Sequence, residues 1–138
     1  MLRTRLPNWP DRLVAAVELQ RRTPFAWGAA DCATLYGAAI EALTGEDPLA
    51  AYRPWHDAQT ALRAVLASGC RSVAEFVGMT MVRIPPAKAQ RGDFGYLAGD
   101  KPRLAFPAVI MGAEAVSRDE HGWIIVPRRL IAEAWSIR

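Results

Sequence analysis

The sequence predicts an α+β domain, with N-terminal helices packed on one face of an antiparallel sheet. Three observations carry that reading. Apolar residues recur at helical spacing through the first half of the chain. The second half breaks into short β-type runs separated by glycine-containing turns. The length, 138 residues, is that of one ordinary domain spanning 1–138, large enough to bury a core without a metal or a disulfide.

The elements follow in order. Pro10 stands where a helix starts, and Leu13, Val14 and Val17 continue it to about Arg22. Asp31 is placed to cap a second helix, with Cys32 in its first turn, Leu35, Ala39, Ile40 and Leu43 as its apolar stripe, and Gly45 closing it. After the proline-broken stretch Asp47-Pro48 to Arg53-Pro54, Ala58, Leu62, Val65 and Leu66 form a third helix that ends at Gly69. Ser72-Val73-Ala74-Glu75 matches a capping box and starts a short fourth. Strands are then expected from Met79 to Ile84, Phe94 to Leu97, Ala105 to Met111, Ala113 to Ser117, Trp123 to Val126 and Ala134 to Ile137. Turns at Gly92-Asp93, Gly99-Asp100, Gly112 and His121-Gly122 separate them.

Composition excludes several classes. The chain is 51% hydrophobic and 22% charged, which is neither disordered nor fibrous. No apolar run approaches a membrane span, and the basic start has no apolar stretch behind it, so no secretory signal is expected. Two cysteines and two histidines, scattered, make neither a disulfide framework nor a metal motif, and no metal or cofactor is expected. The net charge of +3 lies within residues 1–30, where Arg3, Arg5, Arg12, Arg21 and Arg22 face only Asp11 and Glu18. Nucleic-acid binders spread such charge more widely and set aromatics among it, so these cations read as a solvated helix face and no nucleic acid is expected as partner.

The segment Pro24-Phe25-Ala26-Trp27-Gly28-Ala29-Ala30-Asp31-Cys32-Ala33 carries the chemistry. A cysteine in the first turn of a helix faces unpaired N–H groups and the positive end of the macrodipole, and both favour the thiolate. The other reading, a small buried residue at a helix start, is equally compatible with the residues alone.

Trp27-Gly28, then Asp31-Cys32 opening a helix, then Gly92-Asp93 leading into a strand, resembles the NlpC/P60 papain-like cysteine peptidases. With Leu43-Thr44-Gly45 and the near-terminal Ala134-Trp135, the order of landmarks is similar to small prophage and gene-transfer-agent proteins of this type. The resemblance covers roughly residues 9–138. It implies an α+β papain-like fold, Cys32 as nucleophile, and a cleft lined by Phe25, Trp27, Asp31 and Phe106. It also implies partners in a phage tail tip or hub, peptidoglycan as substrate or ligand, and a life in the host cytoplasm and then in the virion tail.

The departures are chemical. Setting Ala108-Val109-Ile110-Met111-Gly112 on the strand that follows the family's histidine puts Phe106 at the base position, and a phenyl ring accepts no proton. Ala33 stands where the family has serine, and Ala29 where it has a second glycine. His121, in the charged turn Arg118-Asp119-Glu120-His121-Gly122, is a weak substitute base because strand ends project into clefts. His56, beside the third helix, is weaker still. Asp93 is expected to stabilise its turn, Cys70 to be buried and inert, and Trp123 and Trp135 to be core. The expected function is a tail structural or assembly protein with impaired catalysis. The alternative is an active cysteine peptidase that cleaves peptidoglycan stem peptides during phage entry. A cytosolic toxin or immunity enzyme has no specific residue in its favour.

Overall fold

The computed structural model describes residues 4–137, so Arg3 of the N-terminal basic group lies outside the described residues. Four α-helices precede a six-stranded sheet. Helix α1 (Trp9–Arg22) carries Pro10 and Asp11 in its first turn and Arg21 and Arg22 in its last, as the helix dipole favours. Helix α2 (Cys32–Thr44) is the buried centre of the molecule: Leu35, Tyr36, Ala39, Ile40 and Leu43 are all sealed from solvent. Gly45 ends it in the left-handed region (φ 86°), with its N–H donating to the Glu41 carbonyl. Helix α3 (Ala58–Ala67) starts from a capping box between Asp57 and Thr60. In α4 (Val73–Gly78) only half of the expected box forms. Ser72 Oγ accepts the Glu75 N–H, but the Glu75 carboxylate reaches back to the Arg71 N–H and not to Ser72.

The strands are β1 (Val82–Ile84), β2 (Phe94–Leu97), β3 (Ala108–Ile110), β4 (Glu114–Asp119), β5 (Gly122–Pro127) and β6 (Ile131–Ser136). Their order is β1-β6-β2-β3-β4-β5, antiparallel throughout. Helix α2 lies against β3 and β4, and α1 packs on α2. The fold is therefore the expected α+β arrangement.

Boundaries differ from the sequence expectation for local reasons. Met79 and Thr80 serve as the closing turn of α4, donating to the Phe76 and Val77 carbonyls, so β1 begins only at Val82. Pro107 has no N–H to give a ladder, and β3 starts after it. The last strand starts at Ile131, earlier than its apolar spacing suggests. It crosses β2 where Gly95 leaves room, since a Cβ there would sit 2.4 Å from Ile131 Cγ2.

Of the N-terminal cations, Arg21 and Arg22 stay exposed on α1 as expected, while Arg5 and Arg12 are held by the fold. Arg5 donates to Asp93 (2.7 Å) and lies over the Trp9 ring, while Arg12 donates to the Ala42 and Glu41 carbonyls at the end of α2. Arg118, placed by the sequence in a charged turn, is on β4 and buried. Its guanidinium donates to the Gln20 and Thr23 carbonyls (2.5 and 2.8 Å) and covers the face of Trp123. A cation on β4 thus closes the C-terminus of α1. Arg118→Ala leaves those carbonyls without their charged donor and is expected to lower stability by roughly 2–4 kcal/mol, read by thermal or urea unfolding. Arg118→Lys should recover less than half, because an ammonium lacks the planar fork.

Candidate functional site

The loop before α2 is a closed knot. Ala26 and Ala30 exchange backbone hydrogen bonds of 3.2 and 2.8 Å, and Gly28 turns the chain at φ 80°. Any side chain at Gly28 would collide with the Trp55 carbonyl, 2.2 Å from where the Cβ would stand. Asp31, 1% exposed, organises this knot. Its Oδ1 accepts the Thr34 N–H (2.8 Å), and its Oδ2 accepts both the Gly28 N–H (2.8 Å) and the Trp55 indole N–H (2.7 Å). Thr34 Oγ1 accepts the Asp31 N–H in return (2.7 Å), completing a capping box.

Cys32 is the first residue of α2 and is half-buried. It lies in a small cleft of about 90 Å³ whose walls include Trp27, Asp31, Leu62, Leu104 and Phe106. The helix start alone favours a thiolate, but here the outcome is reversed. Burial pushes the Cys32 thiol up, and the neighbouring Asp31 charge adds to this. The N–H groups of Phe106, Ala33 and Cys32 itself, which favour the thiolate, are outweighed. At neutral pH the resting group is a thiol.

Phe106, just ahead of β3, is buried and packs its ring on Tyr36 (centroids 5.0 Å apart) and Phe76 (6.4 Å). Its backbone N–H faces the Cys32 sulfur. The fold therefore brings the nucleophile position and the base position of the resemblance together, with a phenyl ring in the second. The histidines are elsewhere. His121 sits exposed at the tip of the β4–β5 hairpin, its N–H donating to Asp119. His56 is exposed ahead of α3, its N–H donating to Thr60. Neither lines the cleft.

Trp27 forms one wall of the cleft but is 36% exposed, and Phe25 braces it edge-on at 5.1 Å. Asp93 holds its turn through the Gln90 N–H (2.8 Å) and pairs with Arg5. Cys70 is buried, its sulfur 3.2 Å from that of Met79. Trp123 and Trp135 are partly buried against the core.

Two residues near the cleft went unread in the sequence. Trp55, 3% exposed, donates to Asp31, and no local pattern around it announces that contact. Tyr96 donates its hydroxyl to the Ala105 carbonyl (2.9 Å). Burial holds its phenol above the ordinary range, and the acidic groups around it add to the shift, so it is a donor and not a base. Among the described residues no group of His, Cys, Asp and Glu side chains is placed to hold a metal, and no helix is long and apolar enough to cross a membrane.

An α+β domain with a half-buried thiol at a helix start and no imidazole in its cleft is the class that this geometry defines. The chain belongs to the family described as Domain of unknown function (DUF6950), which it matches over residues 4–137. Among solved structures it is similar to RipD from Mycobacterium tuberculosis. That protein is described as a non-catalytic NlpC/p60 domain protein with an adaptation to peptidoglycan-binding function. The identity is 15% and the TM-score 0.48, over 96% of this chain and 98% of that one. No curated protein matches the sequence.

Asp31→Asn separates a hub from a simple cap. Asparagine caps helices about as well as aspartate, but it has one acceptor oxygen, and both Asp31 oxygens are in use. The variant is expected to lose roughly 2–3 kcal/mol in urea unfolding, where a plain cap would lose almost nothing. The thiol has its own test. Alkylation of Cys32 by iodoacetamide should accelerate with rising pH through a midpoint above the ordinary thiol value of about 8.5. A thiolate–imidazolium pair would instead react fully at pH 5.

Proposed function

We propose that this protein is a catalytically impaired NlpC/P60-like domain that serves as a structural or assembly component of a phage-like tail tip. The observation that carries the first part is the meeting of Cys32 and Phe106 across one cleft. The nucleophile position is kept on its helix, and the position that should supply the base holds a phenyl ring packed on Tyr36 and Phe76. The tail role rests on the order of sequence landmarks shared with small prophage and gene-transfer-agent proteins, from Trp27-Gly28 to Ala134-Trp135.

One observation favours a second reading, cleavage of peptidoglycan stem peptides. The backbone N–H groups of Phe106, Ala33 and Cys32 itself act on the Cys32 sulfur in the direction that favours a thiolate. The balance of the chemistry goes against it. The thiol rests protonated, and attack on an amide leaves an amine that needs a proton. General-acid assistance at that step is worth ~10²–10⁴ in rate, and neither a phenyl ring nor a buried phenol held as Tyr96 is provides it.

Incubation with purified peptidoglycan and with synthetic stem tetrapeptides should therefore release no product above a Cys32→Ala control. Phe106→His is expected to introduce measurable cleavage where the remaining cleft accepts the peptide. Robust cleavage by the wild type that disappears in Cys32→Ala overturns the impaired reading. For the tail role, antibodies to the chain should label the tail ends of particles from an induced culture. Complete particles that form without the chain and carry none of it overturn that part separately.

A further inference from the structure

The sheet has two outer strands, and only one of them is protected. β1 is three residues long and carries Arg83, which reaches across to Glu133 on β6 (3.2 Å) and lies over Trp135. A short, charged strand is the usual way a protein blunts an edge. β5, at the other side of the sheet, is six residues long and reads Gly122-Trp123-Ile124-Ile125-Val126-Pro127 with no charge at all. Ile125 is 54% exposed, while Trp123, Ile124 and Val126 are half-buried. Among the described residues no strand pairs with its outer side.

The charges that β5 lacks stand at its two ends, with opposite sign. Asp119 and Glu120 precede it at the hairpin, and Arg128 and Arg129 follow it. Asp119 spends its carboxylate on the His121 and Gly122 N–H groups, and Arg128 donates to the Ala89 carbonyl (2.8 Å), so both charges are fixed in place. Glu120 and Arg129 are exposed. A strand with an acidic start and a basic end is complementary to itself when run antiparallel.

We propose that β5 is a self-association edge, pairing antiparallel with β5 of a second copy of this chain about a two-fold axis through Ile124. That centre puts Trp123 opposite Ile125 in both directions, and it brings the hairpin end of each strand, with Glu120, beside the Arg128-Arg129 end of the other. A register moved by two residues toward the C-terminus would set Pro127 opposite Trp123 and waste a ladder bond. One moved the other way would leave just three residues of each strand, Gly122 to Ile124, facing the partner strand. The two-fold register through Ile124 thus satisfies both the backbone and the charges, and it is isologous as a closed dimer requires. Five facing residues per strand bury less than the ~1,200 Å² of a standard interface, so the dimer is of the weak, exchanging kind. This inference is independent of the cleft and its chemistry.

Sedimentation velocity over a concentration series tests it. The wild type should shift toward twice the monomer mass as concentration rises, and added salt should weaken the shift. Ile125→Lys, at an exposed position, should keep the wild-type melting temperature and abolish the shift. Ile124→Cys should form an intermolecular disulfide under mild oxidation, because residues facing each other across a two-fold strand pair have Cα atoms about 4.5–5.5 Å apart, within disulfide range. The wild type and Val126→Cys are the controls and should not cross-link at that rate. A monomer at every concentration up to about 1 mM, well above where weak interfaces form, overturns the proposal. So does a dimer that is unaffected by Ile125→Lys, or one that cross-links no faster at residue 124 than at 126. Pairing of β5 with a strand from another protein while the chain alone stays monomeric also counts against it.

Discussion

The Asp31 carboxylate is the constraint on which the first half of the molecule depends. Three donors converge on its two oxygens, one each from the loop before α2, the first turn of α2 and the segment before α3. A buried carboxylate with this many donors is held by charge-assisted hydrogen bonds, and each donor loses its partner if the group is removed. The consequence is positional. The Gly28 turn is drawn against the Trp55 carbonyl, closely enough to exclude any side chain there, and α2 begins at one fixed residue. Cys32 is that residue, so its place in the cleft follows from the cap beneath it.

The same carboxylate also works against the chemistry of its neighbour. An Asp beside a Cys is one charge too many for a thiolate, and in this cleft nothing positive offsets it. Leu62, Leu104, Phe106 and Trp27 supply apolar walls, so burial and the Asp31 charge act in one direction. A helix N-terminus is worth a modest fraction of that opposition. The general lesson is one of magnitude: a local signal for a reactive cysteine is overridden when the surrounding side chains withdraw water and add a like charge.

Much of this was legible in the sequence, and what was not has a physical cause. Asp31, Gly45, Ser72 and the glycine turns are local signals, and the elements they bound lie where local rules place them. The capping boxes at Asp31 and Asp57 were less visible, because threonine holds the third helical position where the usual pattern has glutamate or glutamine. Long-range pairings left no trace in spacing. Arg118 clamps the end of α1 from 95 residues away, and Trp55 meets Asp31 across 24, so a charged turn and a loop tryptophan each concealed a buried contact. For the site, position was readable and protonation was not. Cys32 and Phe106 follow from an order of landmarks, whereas the state of the thiol depends on who else lines the cleft.

Phenylalanine at position 106 has effects beyond the proton it cannot accept. Its ring joins Tyr36 and Phe76 in an aromatic cluster that continues through Tyr36 to Phe94 on β2, tying α2 and α4 to the sheet beneath the cleft. An imidazole in that place would have to bury a polar ring against Tyr36 and Phe76 or turn outward and surrender the packing. The site thus favours a full core at the cost of a base. With the core complete around it, Cys32 behaves as a small apolar residue at the start of a helix. The cleft keeps its shape because packing maintains it, whether or not any bond is cut.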